Sequence, residues 1–178
     1  MPPKERPVAW RVALLVFVIA GIFWLGATNI RVIVGNLLLQ TGTLKFEEYL
    51  PPDAEREIFR LLSIVSLVVI CAYAVTLVSS VVFLAMMPLR LKEHGWLMMS
   101  AILFYLFVPV EVFTMYLDAR MIYLEFFTTM EREAFREIFI ARVAALAGTP
   151  FIAALCYYTI IGLAIFQPMR KQETLHEA

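Results

Sequence analysis

Four apolar runs constrain this chain more than any other feature of its sequence. Residues 12–30 lie between Arg11 and Arg31, 61–89 between Arg60 and Arg90, and 143–169 between Arg142 and Arg170; residues 95–117 carry a single charge, Glu111. A membrane-spanning helix needs about 20 consecutive apolar residues. Lipid offers no partner to exposed backbone groups, so a lone segment crosses only as a helix, which satisfies them internally. The expected fold is all-α, an integral membrane four-helix bundle. The second and fourth runs exceed the hydrocarbon core, which predicts tilting or projection into water. Composition agrees: 62% of the 178 residues are hydrophobic and 17% charged, against about 25% charged in a soluble domain. Equal numbers of acids and bases give no global attraction to nucleic acid.

An even number of spans returns both termini to one side, and the density of lysine and arginine in short flanks decides which side. Residues 1–11, 90–94 and 170–178 carry seven bases in 25 positions; 31–60 and 118–142 carry eight in 55, where ten acids outnumber them. Both termini are therefore expected in the cytoplasm, with a bacterial inner membrane as the expected setting. Lys4, Arg6 and Arg11 before the first run resemble a signal peptide. The length of the run and the poor cleavage stretch Gly26-Ala27-Thr28 predict an uncleaved span instead.

The tetrapeptide Arg56-Glu57-Ile58-Phe59 recurs as Arg136-Glu137-Ile138-Phe139. The same offset of 80 residues, without a gap, carries Pro88 onto Pro168, Arg90 onto Arg170, Leu44 onto Leu124 and Phe46 onto Phe126. Landmarks that match at both ends of a span predict duplication over chance recurrence of helix-start and helix-stop chemistry. The result is two tandem helical hairpins, 1–88 and 89–178, in one membrane domain. Their common orientation relates them by an axis along the membrane normal, unlike the inverted repeats of many carriers.

The two outer connections, about 30 and 25 residues, are long for loops. Pro51-Pro52-Asp53-Ala54-Glu55 sets proline and acids as in a helix first turn. Thr128 and Glu131 have capping-box spacing, and Phe127, Met130, Ala134, Phe135 and Ile138 share a helical face. Helical extensions beyond the outer membrane face follow. The second and fourth helices are expected to start near Asp53 and Met130, and the first and third to continue through Leu39 and Phe126. Their apolar stripe either packs among the extensions or docks a partner. Leu44, Phe46, Tyr49, Leu50, Phe126 and Phe127 are the docking candidates. The interleaved acids and arginines of these segments read as a solvated face.

Glu111 sits inside an apolar run, where an ionisable group costs about 2.5 kcal/mol or more at the centre. The repeat offset sets it opposite Arg31, which predicts a structural intramembrane ion pair between Arg31 and Glu111. Asn29, Asn36, Gln40 and Thr41 form a polar trail suited to helix-to-helix hydrogen bonds. Pro109 and Pro150 predict kinks. Trp10 and Trp96 fit an inner interfacial belt. Tyr157 and Tyr158 lie mid-span, facing another helix or a lipid.

Cys71 and Cys156 lie within apolar runs and are expected as buried free thiols. No apolar run holds a histidine, so a bis-histidine haem within this chain is excluded. Zinc-type Cys/His spacing is absent, and no metal or other cofactor is expected. No nucleophile–base set or phosphate loop can be assembled. The expected function is that of a non-catalytic integral membrane subunit. It would scaffold, stabilise or regulate a larger membrane complex, with other membrane-protein subunits and lipids as partners, as a hetero-oligomer in preference to a homo-oligomer. The alternatives are a small oligomeric transporter or channel and a membrane sensor. The first needs a polar lining that the inner halves of the spans lack. The second needs a partner for output, because the tail 167–178 is short.

Overall fold

A computed structural model describes residues 8–40, 42–87, 94–128, 131–144 and 148–168. Among these residues six helices follow in order: α1 (Ala9–Asn36), α2 (Pro52–Met86), α3 (Gly95–Leu106), α4 (Val108–Phe127), α5 (Arg132–Ala144) and α6 (Thr149–Phe166). Among the described residues, four stretches are long and apolar enough to cross a membrane: α1, α2, α3 continued by α4, and α6. The chain is an all-helical membrane protein, as its apolar runs predict.

Local chemistry sets the helix ends. α2 starts at Pro52, with Asp53 and Glu55 in its first turn, where acids meet the positive end of the helix dipole. Its 35 residues reach about 52 Å at 1.5 Å per residue, well beyond a core of about 30 Å. α1 stops at Asn36, short of the expected Leu39. The chain there turns into an antiparallel bridge between Leu39 and Phe46. Gln40 N–H donates to the Lys45 carbonyl at 2.9 Å and Glu47 N–H to that of Leu38 at 2.9 Å. Gly42 supplies the left-handed φ of +79° that this turn requires.

The third and fourth runs are interrupted near their prolines. Pro109 cannot donate to the preceding turn, and the helix breaks at Phe107 between α3 and α4. α5 ends at Ala144, and α6 begins at Thr149 after Gly148 at φ +87°. The fourth apolar helix thus has 18 residues, about 27 Å. It matches the core, where the unbroken run had predicted an excess. Thr128 does not cap α5: its hydroxyl donates to the Leu124 carbonyl at 2.8 Å and closes α4. α5 starts at Arg132, and Met130 lies outside the described residues.

The chain forms two compact units. One comprises Met1–Met87 with Thr114–Ala144, the other Pro88–Phe113 with Ala145–Ala178. In the first unit α1 and α2 run antiparallel, with Trp10 near Phe83 (6.4 Å between centroids) and Trp24 on Tyr73 (4.9 Å). Two interleaved seven-residue series are buried on each helix. On α1 and just beyond it they are Ala13, Ala20, Ala27, Val34 and Trp24, Arg31, Leu38; on α2 they are Glu55, Leu62, Val69, Thr76 and Phe59, Ser66, Tyr73, Ser80. Such a repeat keeps one seam facing the partner helix and favours a left-handed supercoil. The alanines let the backbones approach closely, which drives helix association in lipid. Three α2 hydroxyls turn back on their own helix: Thr76 donates to the Ala72 carbonyl at 2.8 Å, Ser79 to Val75 at 2.7 Å and Ser80 to Leu77 at 2.7 Å.

In the second unit α3 packs on α6. Leu97, Ser100 and Phe104 of α3 are buried, as are Ala153 and Tyr157 of α6. The Tyr157 ring lies 6.1 Å from Phe104 and 6.3 Å from Phe107, so this tyrosine faces a neighbouring helix, while Tyr158 is exposed. The remaining surface of α6 is apolar, as befits a helix facing lipid. Cys71 and Cys156 are free thiols. Cys71, however, is exposed on the apolar surface of α2, off the buried seam, and Cys156 is half-buried.

Burial also recurs along the chain. Ala20, Trp24, Ala27, Val34, Leu38, Glu55, Phe59 and Tyr73 are buried. So are the residues eighty positions on: Ser100, Phe104, Phe107, Thr114, Asp118, Phe135, Phe139 and Ala153.

Candidate functional site

The most distinctive chemistry lies in the first unit, where α1, α2, α4 and α5 contribute two buried carboxylates, each held by two arginines. Asp118 of α4 is fully buried. Arg31 of α1 pairs with its Oδ2, and Arg142 Nε of α5 donates to Oδ1 at 2.8 Å. One carboxylate thus ties three helices. Thr114, one turn earlier on α4, is also buried.

Glu55, in the first turn of α2, is 1% exposed. Arg136 of α5 grips it through two parallel bonds, Nε to Oε1 at 2.6 Å and Nη2 to Oε2 at 3.0 Å. Arg132 also pairs with Oε2. The fork geometry of guanidinium suits a carboxylate in this way. The hydrogen bond that Arg136 donates to Glu55 holds its guanidinium above the ordinary pKa. The other face of Arg136 lies over the Phe46 ring, 4.7 Å from its centroid, a cation–π contact.

Apolar packing surrounds these ions. Phe59 and Phe135 stack at 4.2 Å, and Phe46 lies 6.0 Å from Phe139. Gly35 gives Phe139 its room: a Cβ there would sit 3.3 Å from Phe139 Cζ. Ile138, Phe135 and Phe139 are all buried, so the apolar stripe of α5 is covered within the unit. Of the face drawn from the sequence, Phe127 departs, since it ends α4 and is 74% exposed.

The residues singled out from sequence fall in both units. Arg31 lies in α1 within the first unit and Glu111 in the first turn of α4 within the second. The expected pair would bridge the two units and stays a proposal. Of the docking candidates, Leu44, Tyr49, Phe126 and Phe127 are exposed. Phe46 and Leu50 are half-buried, and Phe46 belongs to the interior cluster around Arg136. Asn36 and Gln40 line a cleft of about 480 Å³ beside the bridged loop. Asn29 bonds back to the Leu25 carbonyl at 3.0 Å, and Thr41 lies outside the described residues. Among the described residues no three His, Cys, Asp or Glu side chains are grouped to hold a metal ion.

Sequence reasoning misses Asp118 and Glu55 as buried sites, because their interleaving with arginines reads as a solvated face. A signal was present. Glu111, Asp118 and Glu125 recur every seven residues, on one side of α4. Glu55 opens the series that continues through Leu62 and Val69. No family model, no curated protein and no solved structure matches this chain.

Proposed function

We propose that the chain is a non-catalytic integral membrane subunit that scaffolds, stabilises or regulates a larger membrane protein complex, within a hetero-oligomer. The observation that carries this reading is the combination of an ionic lock with an exposed aromatic surface in one unit. Four arginines bind two carboxylates in the interior, while Leu44, Tyr49, Phe126 and Phe127 stay exposed. Large aromatic side chains on a rigid base supply contact area at low entropic cost, as binding hot spots do. The hydroxyls of α2 that bond within their own helix favour this reading over a transporter or channel. The density of basic residues in the short flanks supports both termini in the cytoplasm, and a bacterial inner membrane is the setting of this proposal. The bridged loop after α1 and the start of α5 then face outward.

The test is purification of the tagged full chain from its native membrane in mild detergent, with the mass of the particle and of each copurifying chain determined. A fixed stoichiometry with different membrane subunits is expected. A particle containing this chain alone would overturn the reading and make flux through reconstituted liposomes the next experiment.

A further inference from the structure

Tyr116, Arg120 and Tyr123 follow one another on α4 at spacings of four and three, so they share one face of that helix. With Ala119, Leu124 and Ile138 of α5 they line an open groove of about 400 Å³ in the first unit. Both tyrosines are 59% exposed, and Arg120 is exposed as well. Arg31, Arg132, Arg136 and Arg142 of the same unit each hold a carboxylate. No carboxylate among the described residues lies within ion-pair distance of Arg120.

The level of the groove matters. The apolar run of the third span ends at Leu117. Tyr116 therefore sits at the edge of the hydrocarbon, and Arg120 and Tyr123 follow about 6 and 10 Å further along the helix. Arg120 thus falls within the headgroup layer, roughly 5–7 Å thick on each side of the core, and Tyr123 at its water-facing border. Tyrosine is enriched at this depth, where its ring meets lipid and its hydroxyl meets water. Guanidinium recognises phosphate through paired donors.

We infer that this groove binds the headgroup phosphate of an anionic phospholipid. Arg120 supplies the charge, the Tyr116 and Tyr123 hydroxyls donate to phosphate or glycerol oxygens, and Ala119, Leu124 and Ile138 make the apolar wall. Charge complementarity selects the ligand, and the mixed lining at the membrane edge selects a lipid over a free anion. The inference does not depend on the subunit reading.

Native mass spectrometry of the delipidated full chain in detergent tests it, with dioleoyl phosphatidylglycerol, dioleoyl phosphatidylcholine and inorganic phosphate as probes. Wild type is expected to retain phosphatidylglycerol over phosphatidylcholine by about fivefold, the effect of one basic residue at a membrane surface. Arg120→Ala should lose that preference and Arg120→Lys should keep part of it. Arg56→Ala, another exposed arginine of the unit, should leave it unchanged. Equal retention by wild type and Arg120→Ala overturns the site. An equal loss in Arg56→Ala overturns it in favour of diffuse surface charge. Displacement of the lipid by millimolar phosphate overturns the lipid assignment in favour of a free-anion site.

Discussion

Asp118 joins α1, α4 and α5 through a single carboxylate. Both its oxygens are taken by guanidinium groups from other helices, and it has no exposed surface. Removing one partner of a buried ion pair costs about 3–5 kcal/mol, because the other charge stays buried without compensation. Asp118→Asn should lower unfolding free energy by that amount in a denaturant titration of the detergent-solubilised protein. A loss no larger than that of a surface substitution would mean that Arg31 finds another anion or water. Ser66 marks the opposite case. Its hydroxyl is fully buried and has no hydrogen-bond partner among the described residues, a cost that replacement by an apolar group removes. Ser66→Ala should raise stability by about 1 kcal/mol in the same titration. Destabilisation instead would show that the hydroxyl is bonded in the folded protein.

α5 is fastened to α2 by one aromatic stack and two ion pairs. Phe135 is fully buried and stacks on Phe59, and Arg132 and Arg136 grip Glu55 on α2. Truncating a buried phenylalanine costs about 3–5 kcal/mol. Phe135→Ala should therefore release α5 ahead of the rest of the unit, seen as faster amide hydrogen exchange over 132–144 with α2 still protected. Uniform exchange along both helices would mean that they unfold together. The same elements delimit what the sequence reveals. The spans were legible because charge-free runs of bilayer length have few other uses. The start of α2 was legible because Pro52 and Asp53 suit only a first turn. The positions of both helix breaks were legible in Pro109 and Pro150. The ionic clusters were not. Glu55 and Asp118 stand among alternating charges that suit a solvated face equally well, and only the packing of α1, α4 and α5 distinguishes a clamp from an exposed pair. α1 ended early for a similar reason: the bridge from Leu39 to Phe46 pairs residues across a turn, which helical periodicity does not register.

For the whole molecule, the recurrence of buried positions at the offset of the tetrapeptide repeat supports duplication of a helical hairpin as a proposal. Burial reports packing, a property separate from residue identity: Trp24 and Phe104 differ, as do Leu38 and Asp118, yet all four are buried. Duplication in parallel also ties the two halves to one orientation, so a single measurement of sidedness applies to both. The proposed orientation puts Glu48, exposed in the loop after α1, outside and His94, at the start of α3, inside. With Cys71 and Cys156 replaced by alanine, a cysteine at Glu48 should react in intact cells with a membrane-impermeant maleimide. One at His94 should react only after permeabilisation. The reverse pattern would invert the topology and move the aromatic surface and the ionic clusters to the cytoplasmic side. Labelling of both in intact cells would mean insertion in two orientations, which the modest difference in basic density between the two sides makes the specific risk for this chain. Adding lysines to the short 90–94 connection should then restore a single orientation, because charge in short flanks is what the insertion machinery reads.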